Sequence, residues 1–97
     1  MLIKICGIRS LAAAQTAQED GADLIGFVFA ASRRQIDVAS AAGICKSVSG
    51  PGKVGVFLNQ PLDEVNSIAE QCQLDYIQLH GDEPAEYRRN LNRPLIR

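Results

Sequence analysis

The chain has 97 residues, 46% of them hydrophobic and 22% charged, which suits one globular core and excludes a disordered or fibrous chain. Ten basic and eleven acidic residues give a net charge of -1, which argues against nucleic acid or an anionic membrane surface as the main partner. No stretch approaches the roughly 18–20 uninterrupted apolar residues of a membrane span, and Met1 runs into Leu2-Ile3-Lys4-Ile5-Cys6 without a targeting signature, so a cytoplasmic protein is expected.

The predicted elements alternate. Leu2 to Cys6 is a short apolar, β-branched run halted by Gly7, as a buried strand would be. Ser10 is placed to cap a helix over Leu11 to Glu19, and Gly21 stops it. A second strand runs from Asp23 to Phe29. Asp37 then caps a helix whose apolar residues Val38, Ala41, Ala42, Cys45 and Val48 share a stripe, and Ser49-Gly50-Pro51-Gly52 breaks it. Lys53 to Leu58 reads as a third strand. Pro61 opens a third helix with Leu62, Val65, Ile68, Ala69 and Cys72 on one side. Asp75 to Leu79 is a fourth strand. Asp82 or Glu83 is expected to cap a short fourth helix with Pro84 in its first turn and Tyr87 and Leu91 on one face. Pro94-Leu95-Ile96-Arg97 looks like the opening of a fifth strand.

No Asn-Gly type hairpin signal joins any two strands, so the sheet should be parallel, with right-handed helical crossovers. Two architectures fit: an open doubly wound sheet and part of a (βα)₈ barrel. Both put function beyond the C-terminal ends of the strands. The dinucleotide fingerprint and the P-loop are absent, and Cys6 and Asn59 stand where a phospho-acceptor module would carry acids. Special residues are instead spread over every strand end: Cys6-Gly7, Ser32-Arg33-Arg34, Asn59, and His80-Gly81-Asp82-Glu83. That spread favours the barrel.

Strand parity puts Cys6 on a face with Lys4 and Leu2, and His80 with Gln78 and Tyr76, which implies a polar interior near the strand ends. Cys6 reads either as a small buried hydrophobe or as a thiolate base or nucleophile helped by Lys4 and nearby backbone N–H groups. Arg33 and Arg34 are either a solvated pair or a guanidinium fork for a carboxylate or phosphate. His80 is either a structural turn residue or a functional one. Cys45 and Cys72 fall in helical stripes and read as core thiols. Three widely spaced cysteines and one histidine support neither a disulfide framework nor a zinc site.

Five segments carry a family resemblance in order and spacing. Lys4-Ile5-Cys6-Gly7-Ile8, Gly26-Phe27-Val28-Phe29, Ser32-x-Arg34, Gly55-Val56-Phe57-Leu58-Asn59 and Gln78-Leu79-His80-Gly81-Asp82-Glu83 together resemble phosphoribosylanthranilate isomerase. The resemblance implies a (βα)₈ barrel of tryptophan biosynthesis that performs an Amadori rearrangement of N-(5-phosphoribosyl)anthranilate without metal or organic cofactor. It makes Cys6 the general base and Arg34 the grip on the anthranilate carboxylate, with His80 and Gln78 lining the site. It also implies a general acid aspartate and a phosphate site on a second half-barrel that these residues do not include. The expectation is therefore a (βα)₄ half-barrel, residues 1–97, inactive alone. Two rivals stand beside it: a non-catalytic half-barrel that self-assembles through the open edges of strands one and four and an apolar barrel-facing surface, and a flavodoxin-like small-molecule binding module.

Overall fold

The computed structural model describes residues 2–96; Met1, and Arg97 at the end of the expected fifth strand, lie outside the described residues. Strands β1 (Lys4–Cys6), β2 (Leu24–Val28), β3 (Gly52–Phe57) and β4 (Tyr76–Leu79) alternate with helices α1 (Leu11–Glu19), α2 (Val38–Ser47), α3 (Leu62–Cys72) and α4 (Ala85–Arg89). The strands form one sheet in the order β1-β2-β3-β4, all parallel. Parallel neighbours need a crossover, and α1, α2 and α3 supply the three.

The local signals act as their chemistry dictates. Ser10 accepts the Ala13 N–H on its side chain at 3.1 Å, and Asp37 accepts that of Ser40 at 3.0 Å, each satisfying a donor the helix leaves free. The two prolines sit one place earlier than expected: Pro61 and Pro84 hold the N-cap positions, and neither helix has a side-chain cap. Asp82 and Glu83 do not cap α4. Pro84 is extended (φ -70°, ψ 163°), which starts the helix after it, and Glu83 is drawn into the protein instead.

Alternating strand residues build two layers. On the helix side, Ile25, Phe27, Phe57 and Ile77 are fully buried against Ala14, Ala17, Ile44, Val65, Ile68 and Ala69. Phe29 stacks on Phe57 with ring centroids 5.2 Å apart. Ile44 belongs to this core, on the side of α2 next to the expected stripe, whereas Cys45 is half-buried and Cys72 buried. On the other face, register puts Leu24 and Gly52 beside Lys4, Gly26 and Val54 beside Cys6, and Tyr76 and Gln78 beside Val54 and Val56.

That second face is concave. A flat sheet would hold its outer strands about 14 Å apart, yet Lys4 Nζ on β1 donates a hydrogen bond to Gln78 Oε1 on β4. The sheet therefore curls into half a barrel wall. Leu24, Val54 and Val56 are buried inside the curl, so the concave face is not the open apolar surface expected from the strand pattern. Exposed apolar side chains lie at its margins: Leu2 and Ile3 at β1, Leu95 beyond β4.

The fifth strand has begun. Ile77 N–H donates to Pro94 O at 2.9 Å and Ile96 N–H to Ile77 O at 3.0 Å, a parallel bridge on the outer edge of β4. Arg93 holds the approach, donating from Nε to Leu74 O at 2.6 Å and pairing with Glu70 at 3.3 Å.

Candidate functional site

The C-terminal ends of the strands gather the side chains singled out from the sequence. Cys6 ends β1 and is exposed, which removes the reading of it as a buried hydrophobe. Its thiol has room because Gly26 lies alongside: a Cβ there would sit 3.1 Å from Cys6 Sγ. Gly7 turns the chain with φ +83°, a conformation that favours glycine. Arg34 packs over that bare backbone; a Cβ at Gly7 would meet Arg34 Cδ at 2.7 Å and Nη1 at 3.4 Å. Gly7 thus serves twice, as the turn and as the gap that lets a guanidinium lie beside the thiol's strand end.

The loop carrying Arg34 is shaped locally. Arg34 N–H donates to Ser32 Oγ at 3.2 Å, a short hydroxyl turn of the kind Ser-x-Arg spacing permits. Arg33 is exposed, and its carbonyl accepts from Arg9 Nη1 at 3.0 Å. Across the mouth, His80 is exposed at the end of β4, with its backbone N–H on Phe57 O at 2.9 Å. Gln78 Nε2 stands 3.0 Å from His80 Nε2. Lys4, Gln78 and His80 thus form one polar row over the apolar interior, as parity suggested. The ammonium of Lys4 is engaged by Gln78.

Sequence reasoning missed the ties between the loops. Glu83 is only 8% exposed, and its Oε2 accepts the Asn59 N–H at 2.7 Å; its Oε1 has no partner among the described residues. Asn59 has φ +52°, and its side chain fills the space above Gly81, where a Cβ would lie 2.4 Å from Asn59 Oδ1. Gln60 ties its own loop to the loop after β2 and to α4: its Oε1 accepts from Leu58 N–H, its Nε2 donates to Phe29 O at 3.4 Å, and its carbonyl accepts from the Tyr87 hydroxyl at 2.7 Å. Burial, reinforced by the carboxylates of Glu83 and Glu64, pushes the Tyr87 phenol up, keeping it the donor this bond needs. In the sequence Glu83 carries only the local signal of a helix-start acid.

The other thiols are built differently. Burial pushes Cys45 up to about 12, with the neighbouring Cys72 thiol adding to it, and burial raises Cys72 as well. A thiol so placed stays protonated and is a poor nucleophile. A cavity of about 870 Å³ opens at the opposite end of the strands among Leu2, Asp23, Lys53, Asp75, Tyr76 and Ile96. Barrel chemistry belongs to the C-terminal face, so this basal opening is not the candidate site.

A guanidinium beside an accessible thiol, with polar side chains on the same concave face, can bind an anionic group and move a proton beside it. The family model described as N-(5'phosphoribosyl)anthranilate (PRA) isomerase matches residues 3–97. An N-(5'-phosphoribosyl)anthranilate isomerase of Oceanobacillus iheyensis is 44% identical over 98 residues, covering 100% of this chain and 48% of that protein. The crystal structure of phosphoribosyl anthranilate isomerase from Thermus thermophilus superposes with a TM-score of 0.93 at 39% identity, over 98% of this chain and 50% of that one. A phosphoribosyl anthranilate isomerase in complex with reduced 1-(o-carboxyphenylamino)-1-deoxyribulose 5-phosphate gives 0.91 at 39% identity, over 94% and 48%. The chain spans about half the length of the curated relatives it matches.

Proposed function

The chain belongs to the N-(5'-phosphoribosyl)anthranilate isomerase family, and from that premise we propose that it is the base-bearing half of a barrel catalysing the Amadori rearrangement of N-(5-phosphoribosyl)anthranilate. The observation that carries the reading is that Cys6, with Arg34 packed over the following Gly7, shares the concave face of the sheet with the Lys4–Gln78–His80 row. Cys6 is the general base that takes the C2 proton of the ring-opened Schiff base. Arg34 grips the anthranilate carboxylate, for which a planar guanidinium is the matching fork. His80 and Gln78 line the site and offer polar contacts to the substrate. The general acid and the phosphate grip belong to a second half-barrel, so residues 1–97 act as an incomplete domain.

The test is complementation. The chain alone should show no turnover, because losing an acid–base partner costs about 10²–10⁴-fold and losing the phosphate grip weakens binding besides. Adding the complementary half of the Oceanobacillus iheyensis relative should restore isomerisation, and Cys6→Ala should lower it again by about 10²–10⁴-fold. Turnover by the pure chain, or a restored activity indifferent to Cys6, would sink the proposal.

No helix among the described residues is long and apolar enough to cross a membrane. The biosynthetic relatives support a cytoplasmic setting and a small-molecule partner. The outer edge of β1, with Leu2 and Ile3 exposed beside it, supports pairing with another strand edge. We assign it to the complementary half-barrel, or to a second copy when that half is absent.

A further inference from the structure

The three polar side chains of the concave row differ in what they can donate. An ammonium only donates, a carboxamide donates from nitrogen and accepts on oxygen, and a neutral imidazole does one at each ring nitrogen. Lys4 Nζ donates to Gln78 Oε1, and Gln78 Nε2 stands 3.0 Å from His80 Nε2. Flipping the carboxamide would set its NH₂ against the Lys4 ammonium, two donors facing each other. Lys4 therefore fixes the carboxamide, and the carboxamide turns an N–H toward the ring. The row closes only if His80 Nε2 carries a lone pair and the ring proton sits on Nδ1.

We propose that Lys4 is a positioning residue that acts through Gln78 to hold His80 as the Nδ1–H tautomer. The ring nitrogen that bonds Gln78 is then always the acceptor, and the exposed ring keeps one N–H donor, on Nδ1, for an oxygen acceptor of a bound ligand. Only the use of that donor rests on the proposed function. The tautomer itself follows from the row. A histidine's tautomer is set by the bond its other nitrogen makes, and here that bond is dictated by a residue at the far edge of the sheet, on β1.

His80 is the only histidine, so the ¹⁵N-labelled chain gives a single imidazole spectrum. Long-range ¹H–¹⁵N correlation of the neutral ring should report Nδ1 as the protonated nitrogen and Nε2 as the bare one. In Lys4→Met the populations should move toward Nε2–H, and in Lys4→Arg, which keeps a donor-only cation, the wild-type pattern should persist. Gln78→Glu presents only acceptor oxygen and should transfer the proton to Nε2. A protonated Nε2 in the wild-type neutral ring overturns the proposal, as does a folded Lys4→Met chain with an unchanged ring spectrum. If Lys4→Met fails to fold, the wild-type and Gln78→Glu spectra decide. None of these readouts needs turnover, so loss of the tautomer and failure of complementation are separate results.

Discussion

In the first half of the chain, Asp23 donates its backbone N–H to Ile3 O at 2.8 Å and takes the Ile3 N–H on Oδ2 at 2.8 Å. In the second half, Asp75 makes the same two bonds with Lys53, again at 2.8 Å each. The turns leading into these aspartates also match. Ala22 N–H reaches back to Ala17 O and Leu74 N–H to Ala69 O, both at 3.0 Å, over left-handed residues at Gly21 and Gln73. At the strand starts, then, β1-α1-β2 and β3-α3-β4 are built alike. At the strand ends they part. The first half offers a thiol, a bare Gly7 and an arginine lying across it; the second offers a histidine, a carboxamide and the buried Glu83 tie to Asn59. Even the helix starts differ, with Ser10 and Asp37 capping in the first half and uncapped prolines in the second. The starts meet one recurring demand, opening a strand with its backbone donors satisfied. The ends meet different demands, which is where barrels vary their chemistry.

The largest test of this contrast is chemical. In the complemented barrel, Cys6→Ala should lower kcat by about 10²–10⁴-fold, with the urea midpoint of the protein unchanged, because the exposed thiol supports little packing. Next come the shared core positions: Phe27→Ala and Phe57→Ala should each cost about 3–5 kcal/mol by denaturant unfolding. A large gap between them would show that the halves do not share one core. Asp23→Ala and Asp75→Ala should each cost about 1 kcal/mol and should add within about 0.5 kcal/mol. Unequal or strongly coupled values would break the equivalence of the strand starts. Ser10→Ala should cost about 1 kcal/mol, a loss with no counterpart at Pro61, where no side-chain cap exists. Smallest at neutral pH is the thiol effect. Cys45 is raised from 9.0 to about 12, so its folded form stays protonated while an unfolded chain ionises. Its contribution is whole below pH 9 and is lost as the pH climbs toward about 12. Cys45→Ala should flatten the alkaline limb of the stability curve.

What was legible in the sequence was what is written locally. Ser10 and Asp37 stand one place before helical runs, and their caps are where that spacing puts them. Parity alone grouped Lys4 with Cys6 and Gln78 with His80, and the shared rim follows from it. The failures are long-range. Glu83 carries the local mark of a helix-start acid, but Pro84 delays the helix and frees the carboxylate for Asn59 in another loop. Ile44 sits beside the obvious stripe of α2, and only the packing of α2 against its neighbours selects it for the core. The open apolar barrel face expected from alternation is instead buried at Leu24, Val54 and Val56, because alternation says which face a side chain takes, not how far the sheet curls over it. The paired aspartates show in the sequence only as the first residues of two strand runs, and their common role needs the register.

The Lys4–Gln78 bond has a kinetic meaning as well. It joins side chains 74 residues apart in sequence, across all three strand pairings, so closing it first would cost the entropy of most of the chain at once. It can form cheaply only after β1, β2, β3 and β4 have zipped in turn, each pairing shortening the effective loop left to close. Among contacts of the described residues it is a late one, characteristic of a parallel topology rich in non-local pairings. The His80 ring, tied to that bond through Gln78, is therefore expected to reach its native environment at the end of folding, not at its beginning, an order that time-resolved NMR of this single imidazole would check.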